Sequence, residues 1–324
     1  MGWPSISVAL CTFNGAKFLP RQLESICGQS RLPDEIIISD DNSTDRSRKI
    51  LLDFEKNAPC SVRLIFNRSR IGAIKNFEQA MSLAKCQFIA LCDQDDIWNP
   101  DKLEMFESRL DFRNQSGPAL FFSDFVIGDE SGQAILLKNG RKKDSGINRS
   151  MEWQDVCLAN RVPGCTMIVD RRIVQRALPF PESVIMHDWW LMLIATLSAK
   201  TIRIEHPTML YRLHPGNTCG LPSTIGGLLA GIKTGMVGTA QGNFSAVIKQ
   251  LRDVKERLDE LGLEYPKEEL ARICGVPMLP FYERPLVLQR SGLRRSSKLK
   301  LFFSLAASML VSEKVVAGRP RGYR

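Results

Sequence analysis

Phe88-Ile89-Ala90-Leu91-Cys92-Asp93-Gln94-Asp95-Asp96-Ile97-Trp98-Asn99-Pro100 is the stretch on which the fold turns. Five apolar residues in a row read as a buried strand, and Asn-Pro closes the segment as a turn signal. Between them stand three carboxylates in four positions. Like charges packed this closely raise one another's pKa unless a cation sits among them. Hard divalent cations such as Mg2+ and Mn2+ take such oxygen ligands, often shared with substrate phosphates. The plainer reading is a solvated acidic turn that opens the helix after Pro100, where carboxylates also suit the helix dipole.

Outward from this point the first half alternates strand and helix signals. Ile6 to Leu10, Glu35 to Ser39 and Val62 to Phe66 read as strands. Phe18 to Ile26, the segment around Ile50, Leu51 and Phe54, and Ile74 to Ala84 read as helices between them. Alternation at this pace predicts βαβ units and an α/β fold with a mainly parallel central sheet flanked by helices. Right-handed crossovers then gather the strand carboxyl ends on one edge. Asp40-Asp41, Asp93 to Asp96 and the loop Thr12-Phe13-Asn14-Gly15 are expected there, where open sheets hold ligands.

The second half is more mixed. Ala119 to Phe125, Gly164 to Val169, Arg203 to Glu205 and Met209 to Leu213 read as strands, and Asp188 to Leu197 as a helix. Leu136 to Arg149 is polar and basic, with the character of a loop. Beyond Gly220 the pattern turns helical, with a stripe from Phe244 to Leu261 spaced for core packing. The expected division is a catalytic domain over 1–220 and a mostly helical, basic extension over 221–324. Gly226 to Thr234 misses the Walker A pattern, because Ile232 stands where the lysine must follow glycine.

The chain has 324 residues, a formal charge of +9 and nine scattered cysteines without a C-x-x-C pair. Such cysteines fit reduced, mostly buried thiols and a cytoplasmic protein. No secretory leader pattern precedes the first strand, and no run reaches the length of a membrane span. The basic stretch Arg284 to Arg324 has no interleaved aromatic platform, which argues against nucleic acid as a partner. Leu299 to Val311, with its flanking lysines, is the candidate for peripheral contact with the anionic inner face of the cytoplasmic membrane. A helix docked on the catalytic domain is the competing reading.

The ordered set of motifs resembles the family 2 glycosyltransferases of GT-A fold. It runs from Ile6-Ser7-Val8-Ala9-Leu10-Cys11-Thr12-Phe13-Asn14-Gly15 through Ile36-Ile37-Ile38-Ser39-Asp40-Asp41. Asn67, Gly72 and Asn76-Phe77 come next, then the tetrad with Trp98, Pro100 and Lys102. The resemblance covers roughly Ser5 to Gly220. It implies a nucleotide-diphospho-sugar transferase fold in which Thr12, Asn14 and Asp41 hold base and ribose. Arg70, Lys75 and Gln94 fall on the nucleotide side too, although Arg70 and Lys75 read equally well as solvated charges. Asp93 and Asp95 would be the D-x-D pair around Mn2+ or Mg2+.

His187-Asp188-Trp189-Trp190 resembles the second acidic motif of that family, which makes Asp188 the implied catalytic base. The family often has Glu in place of His187, and His-Asp-Trp-Trp is close to rhamnosyltransferase-like members. Trp189 and Trp190 either stack on a sugar or fill the core. Tyr211-Arg212-Leu213-His214 is similar to a late Tyr-Arg-x-His segment, in which His214 ligates the metal or contacts the diphosphate. On the implied acceptor side His187, Trp189 and Trp190 are joined by Asp96, Trp98 and the loosely matching Gly164-Cys165.

The resemblance implies an inverting transferase that uses dTDP-rhamnose or a UDP-sugar. Its expected acceptor is a saccharide, lipid-linked, of a cell-surface glycan such as O-antigen. A non-catalytic sugar-nucleotide-binding or scaffold subunit is the alternative. A sugar-phosphate nucleotidyltransferase would need a Gly-rich basic loop after the first strand, which Thr12-Phe13-Asn14-Gly15 is not.

Overall fold

The computed structural model describes residues 4–110, 117–135, 150–217, 244–280 and 282–291. The expectations for Leu136 to Arg149, Gly226 to Thr234 and Leu299 to Val311 lie outside the described residues.

The expected alternation is present. Strand β1 (Ile6–Thr12) leads to helix α1 (Leu19–Cys27), β2 (Glu35–Asp40), α2 (Ser47–Asn57), β3 (Ser61–Phe66), α3 (Ala73–Leu83) and β4 (Phe88–Asp93). Pro20 sits in the first turn of α1, where its missing N–H costs nothing. Gly72 precedes α3 with φ of 84°, a backbone state that only glycine takes without strain. β2, β1 and β4 are paired in parallel, with Thr12 opposite Asp40 and Cys11 opposite Asp93. Both acidic clusters therefore flank the end of the first strand.

The sheet has eight strands in the order β3-β2-β1-β4-β7-β6-β8-β5. Here β5 is Ile97–Trp98, β6 Ala119–Gly128, β7 Met167–Asp170 and β8 Lys200–Arg212. β7 is antiparallel to both β4 and β6, while β6 and β8 are parallel. Two expectations need correction. The strand expected from Gly164 begins with a 3-10 turn, Gly164–Thr166, and only then extends. The two short strands expected around Pro207 are one strand, β8, whose pairing with β6 shifts register beside Asp124 and Pro207. Proline breaks the ladder locally, and the bulge carries the strand past it.

Strand periodicity divides the core in two. Ala9, Ile37, Ile89 and Leu91 face one side of the sheet, and Val8, Leu10, Ile36, Ile38 and Ala90 face the other. Helix α4 (His187–Ser198) is buried nearly all round on the first side. The helices Phe244–Glu260 and Lys267–Gly275 send Val247, Ile248, Leu251, Leu270 and Ile273 into that same cluster. The C-terminal helices thus pack on the sheet domain through a shared apolar core. No helix among the described residues is long and apolar enough to cross a membrane.

Candidate active site

The carboxyl ends of β1, β2 and β4, the start of α4 and the end of β8 surround one cleft of about 340 Å3. Asp41, Asp93, Asp95 and Asp188 all line it, with Thr12, Arg70, Gln94, Gly164 and His187. Four carboxylates from three distant segments thus share one cavity.

The β2 corner is rigid. Asp40 is fully buried and accepts from Thr12 Oγ1 (2.9 Å), the Ser43 N–H (2.9 Å) and Arg48 Nε (3.1 Å). Asp41 accepts from the Ile71 and Gly72 N–H groups at 2.7 and 2.9 Å, which ties the strand end to the start of α3. The Arg70 guanidinium lies over the Phe13 ring at 4.1 Å, and its Nε is 4.0 Å from Asp41. Asn14, at φ of 47°, accepts the Thr44 N–H at 2.8 Å and holds its loop rather than lining the cleft. Lys75 also lies off the cleft, donating to the Phe180 carbonyl at 3.0 Å.

The β4 corner is electrostatically unsettled. Burial, then the charges of Asp95 and Asp188, push the Asp93 carboxyl up to about 7. Asp96 is 1% exposed, and the hydrogen-bonding group beside its two carboxyl oxygens is the weakly donating Cys165 thiol. Burial, with Asp95 and Asp93 beside it, holds Asp96 well above the usual carboxylate range. Behind these groups Lys102 is buried against the Trp98 ring, donates to the Cys165 carbonyl at 2.6 Å and is lowered by burial to about 8. Gln94 accepts the Phe13 N–H at 2.9 Å and donates to the Phe13 carbonyl at 3.0 Å. Its amide thus clips the β1 loop to the tetrad. A Cβ on Gly15 would fall 2.0 Å from Gln94 Oε1, so that loop needs glycine for the close approach. Arg212, 4% exposed, donates to the carbonyls of Phe18 (3.0 Å) and Asp96 (3.3 Å) and fixes the tetrad from below.

His214 stacks on Phe18 at 4.2 Å. Its Nδ1 accepts the Gly216 N–H at 3.2 Å, so in the neutral ring Nε2 carries the proton toward Asp95 Oδ2, 2.9 Å away.

Asp188, in the first turn of α4, is 4% exposed. Its Oδ1 accepts from Asn160 Nδ2 (2.8 Å) and the Trp189 N–H (2.7 Å), and its Oδ2 from the Gly164 N–H (2.9 Å). A carboxylate oxygen has about two lone-pair sites, so Oδ1 is filled and Oδ2 keeps one for the cleft. His187 stacks on Phe77 at 3.9 Å.

Several residues expected on the acceptor side are set back from the cleft, and the reason is apolar packing. Trp189 and Trp190 are 3% and 0% exposed, and their indole N–H groups donate to the carbonyls of Val156 and Ala177. They fill the core, the second of the two readings open from sequence. Trp98 and Cys165 are buried under the tetrad, and Asp96 lies beside them. Sequence reasoning missed Asn160, an isolated polar residue in a loop with no pattern to mark it. It also missed the burial of Lys102, although Lys102 stands in the motif that begins with the tetrad.

The oxygen donors fit a hard divalent cation. Asp93 and Asp95 stand at the cleft wall, and the raised Asp93 carboxyl marks negative charge in want of a partner. Donor atoms of Asp93, Asp96 and Cys165 also lie within 4.8 Å of one another.

Known proteins share this construction. The family model "Glycosyl transferase family 2" matches residues 7–130. The dTDP-rhamnosyl transferase RfbG of Shigella flexneri is 30% identical over 223 residues, 65% of this chain and 73% of that protein. An Escherichia coli relative, UDP-Glc:alpha-D-GlcNAc-diphosphoundecaprenol beta-1,3-glucosyltransferase WfgD, is 30% identical over 64% of this chain and 77% of its own length. Among solved structures, residues 1–349 of S. aureus TarS with UDP-GlcNAc superpose with a TM-score of 0.59. That match covers 96% of this chain and 90% of the other at 14% identity, a likeness of fold alone. The sheet is the GT-A sheet, and with relatives of this identity and coverage the chain belongs to glycosyltransferase family 2.

Proposed function

We propose that this chain moves a hexose from a nucleotide-diphosphate donor to a hydroxyl of a growing, lipid-linked cell-surface glycan, with inversion at the anomeric carbon. The observation that carries the proposal is the convergence of Asp41, Asp93, Asp95 and Asp188 on one cleft. The names of the relatives favour dTDP-rhamnose or a UDP-sugar as donor and a polyprenyl-diphosphate sugar as acceptor.

In this reading Asp41, Thr12 and Arg70 receive the nucleoside. Asp93 and Asp95 hold Mn2+ or Mg2+ against the diphosphate, with His214 orienting Asp95. The cation supplies Lewis-acid neutralisation of charge on the departing diphosphate. Asp188 Oδ2 takes the proton of the acceptor hydroxyl as its oxygen attacks from the face opposite the leaving group. Asn160 and the Gly164 N–H aim that oxygen. Residues 1–220 form the catalytic unit. Within the basic extension 221–324, Leu299 to Val311 with its flanking lysines keeps the enzyme at the inner face of the cytoplasmic membrane.

The test is a donor screen that follows nucleoside diphosphate release with Mn2+ or Mg2+ and a polyprenyl-diphosphate sugar. Asp188→Asn is expected to slow transfer by about 10²–10⁴-fold with donor affinity retained. Full transfer by that variant would remove Asp188 as the base.

A further inference from the structure

His187 is 4% exposed, and neither ring nitrogen has a hydrogen-bond partner. A buried polar atom without a partner costs stability, and native structures seldom keep one without a reason. This one stands in the cleft wall, next in sequence to Asp188. The stack on Phe77, with ring planes 14° apart, holds the imidazole in place. Gly164 shows how close the two groups come: a Cβ there would lie 2.9 Å from His187 Nε2 and 3.7 Å from Asp188 Oδ2. Both side chains thus pack against Gly164, and all three residues line the cleft.

We propose that His187 recognises the acceptor sugar by hydrogen-bonding a second hydroxyl beside the one whose proton Asp188 takes. The acceptor class is then a sugar with a free hydroxyl adjacent to the reacting one. This rests on the transfer reading above.

Burial lowers the pKa of His187, so the ring is neutral, with one donor and one acceptor nitrogen. A hydroxyl, which both donates and accepts, can pair with whichever of the two nitrogens it meets. A carboxylate or phosphate would call for a cation instead. The attacking oxygen itself is a poor partner for the ring. It gives its proton to Asp188 and a lone pair to the new C–O bond, and a donor on it would withdraw electron density. The neighbouring hydroxyl carries no such conflict.

The experiment compares two fates of one donor in the full-length chain: hydrolysis by water, and transfer to a panel of short-chain lipid-diphosphate monosaccharides that begins with α-linked GlcNAc. His187→Phe keeps a ring on Phe77 and removes both nitrogens. The ratio of transfer to hydrolysis is expected to fall roughly tenfold to a hundredfold, through acceptor KM more than kcat. His187→Gln, which restores a donor and an acceptor, should recover part of the loss. An acceptor lacking only the neighbouring hydroxyl should lower the ratio for the wild type and leave His187→Phe indifferent. Equal loss of hydrolysis and transfer in both variants, or no change in the ratio, overturns the inference alone. So does a wild type that hydrolyses donor yet glycosylates no member of the panel. A wild type that releases nucleoside diphosphate from no donor overturns the transfer reading, and the inference with it.

Discussion

The sheet edge carries two acidic corners, Asp40-Asp41 after β2 and Asp93 to Asp96 after β4, separated only by β1. At the first, hydroxyl, guanidinium and main-chain donors meet both carboxylates. At the second, Asp96 has only the weak Cys165 thiol as a hydrogen-bonding neighbour, and Asp93 is pushed up to about 7 by burial and by its neighbours. One corner is complete within the protein, while the other has a charge that the chain leaves uncompensated. Binding sites are recognised by such deficits, because a folded chain otherwise satisfies its buried polar groups.

The largest effect expected from breaking this contrast falls on turnover. Asp95→Ala removes a carboxylate proposed to hold the cation and is expected to reduce metal-dependent transfer by about 10³-fold. The loss should be accompanied by weaker donor binding in titration calorimetry with Mn2+. Retained Mn2+-dependent donor binding would move the cation elsewhere.

The complete corner should respond through stability instead. Asp40→Ala leaves Thr12, Ser43 and the Ser43 N–H without their acceptor, and Arg48 without its charge partner. A cost of about 2–4 kcal/mol is expected from breaking so buried a network, with Arg48 adding little because it is partly solvated. Urea unfolding measures it. A cost below about 0.5 kcal/mol, the range of ordinary surface changes, would erase the distinction between the corners.

Titration separates them more finely. The folded-state pKa of Asp93 lies above the unfolded value of about 4. Its contribution to stability is therefore fully present below pH ~4 and lost as pH rises through about 7. A divalent cation replaces the proton, so it should stabilise the chain more at pH 8 than at pH 5. Differential scanning fluorimetry is expected to show a rise of about 3–8 °C at pH 8 with the cation near a hundred times its Kd. Asp93→Asn should flatten the pH dependence and shrink the shift. An equal shift at both pH values would contradict the account of Asp93.

Legibility in the sequence divides along the same line. Strands β1, β2 and β4 were readable because each is an apolar run buried on both faces, the half-exposed edge strand β3 because Val62, Leu64, Ile65 and Phe66 still crowd together, and β1 and β2 end in residues that mark the ligand edge. The insertion of antiparallel β7 between β4 and β6 was not readable, since pairing between distant segments leaves no local pattern. The carboxylates of the cleft could be named from their resemblance to the family's motifs. Their partners could not: Asn160 is one amide in a loop, and only folding brings it 2.8 Å from Asp188. Trp189 and Trp190 show the limit from the other side, because two indoles beside a catalytic motif read alike whether they meet sugar or core.

Gln94 offers the smallest effect and the finest discrimination, because it joins the two corners. Both ends of its amide engage the Phe13 main chain, so nucleotide contact would have to share groups already in use. If it acts as a clip, Gln94→Ala loosens the β1 loop against the tetrad. The expected cost is about 1–2 kcal/mol in unfolding, with donor KM raised roughly threefold to tenfold as Asp41 and Asp93 lose their fixed spacing. A raised KM with unchanged stability would assign Gln94 to direct nucleotide contact. Lost stability with unchanged KM would show that the corners keep their spacing without it. Both together are expected when one side chain holds a satisfied corner and an unsatisfied one in register.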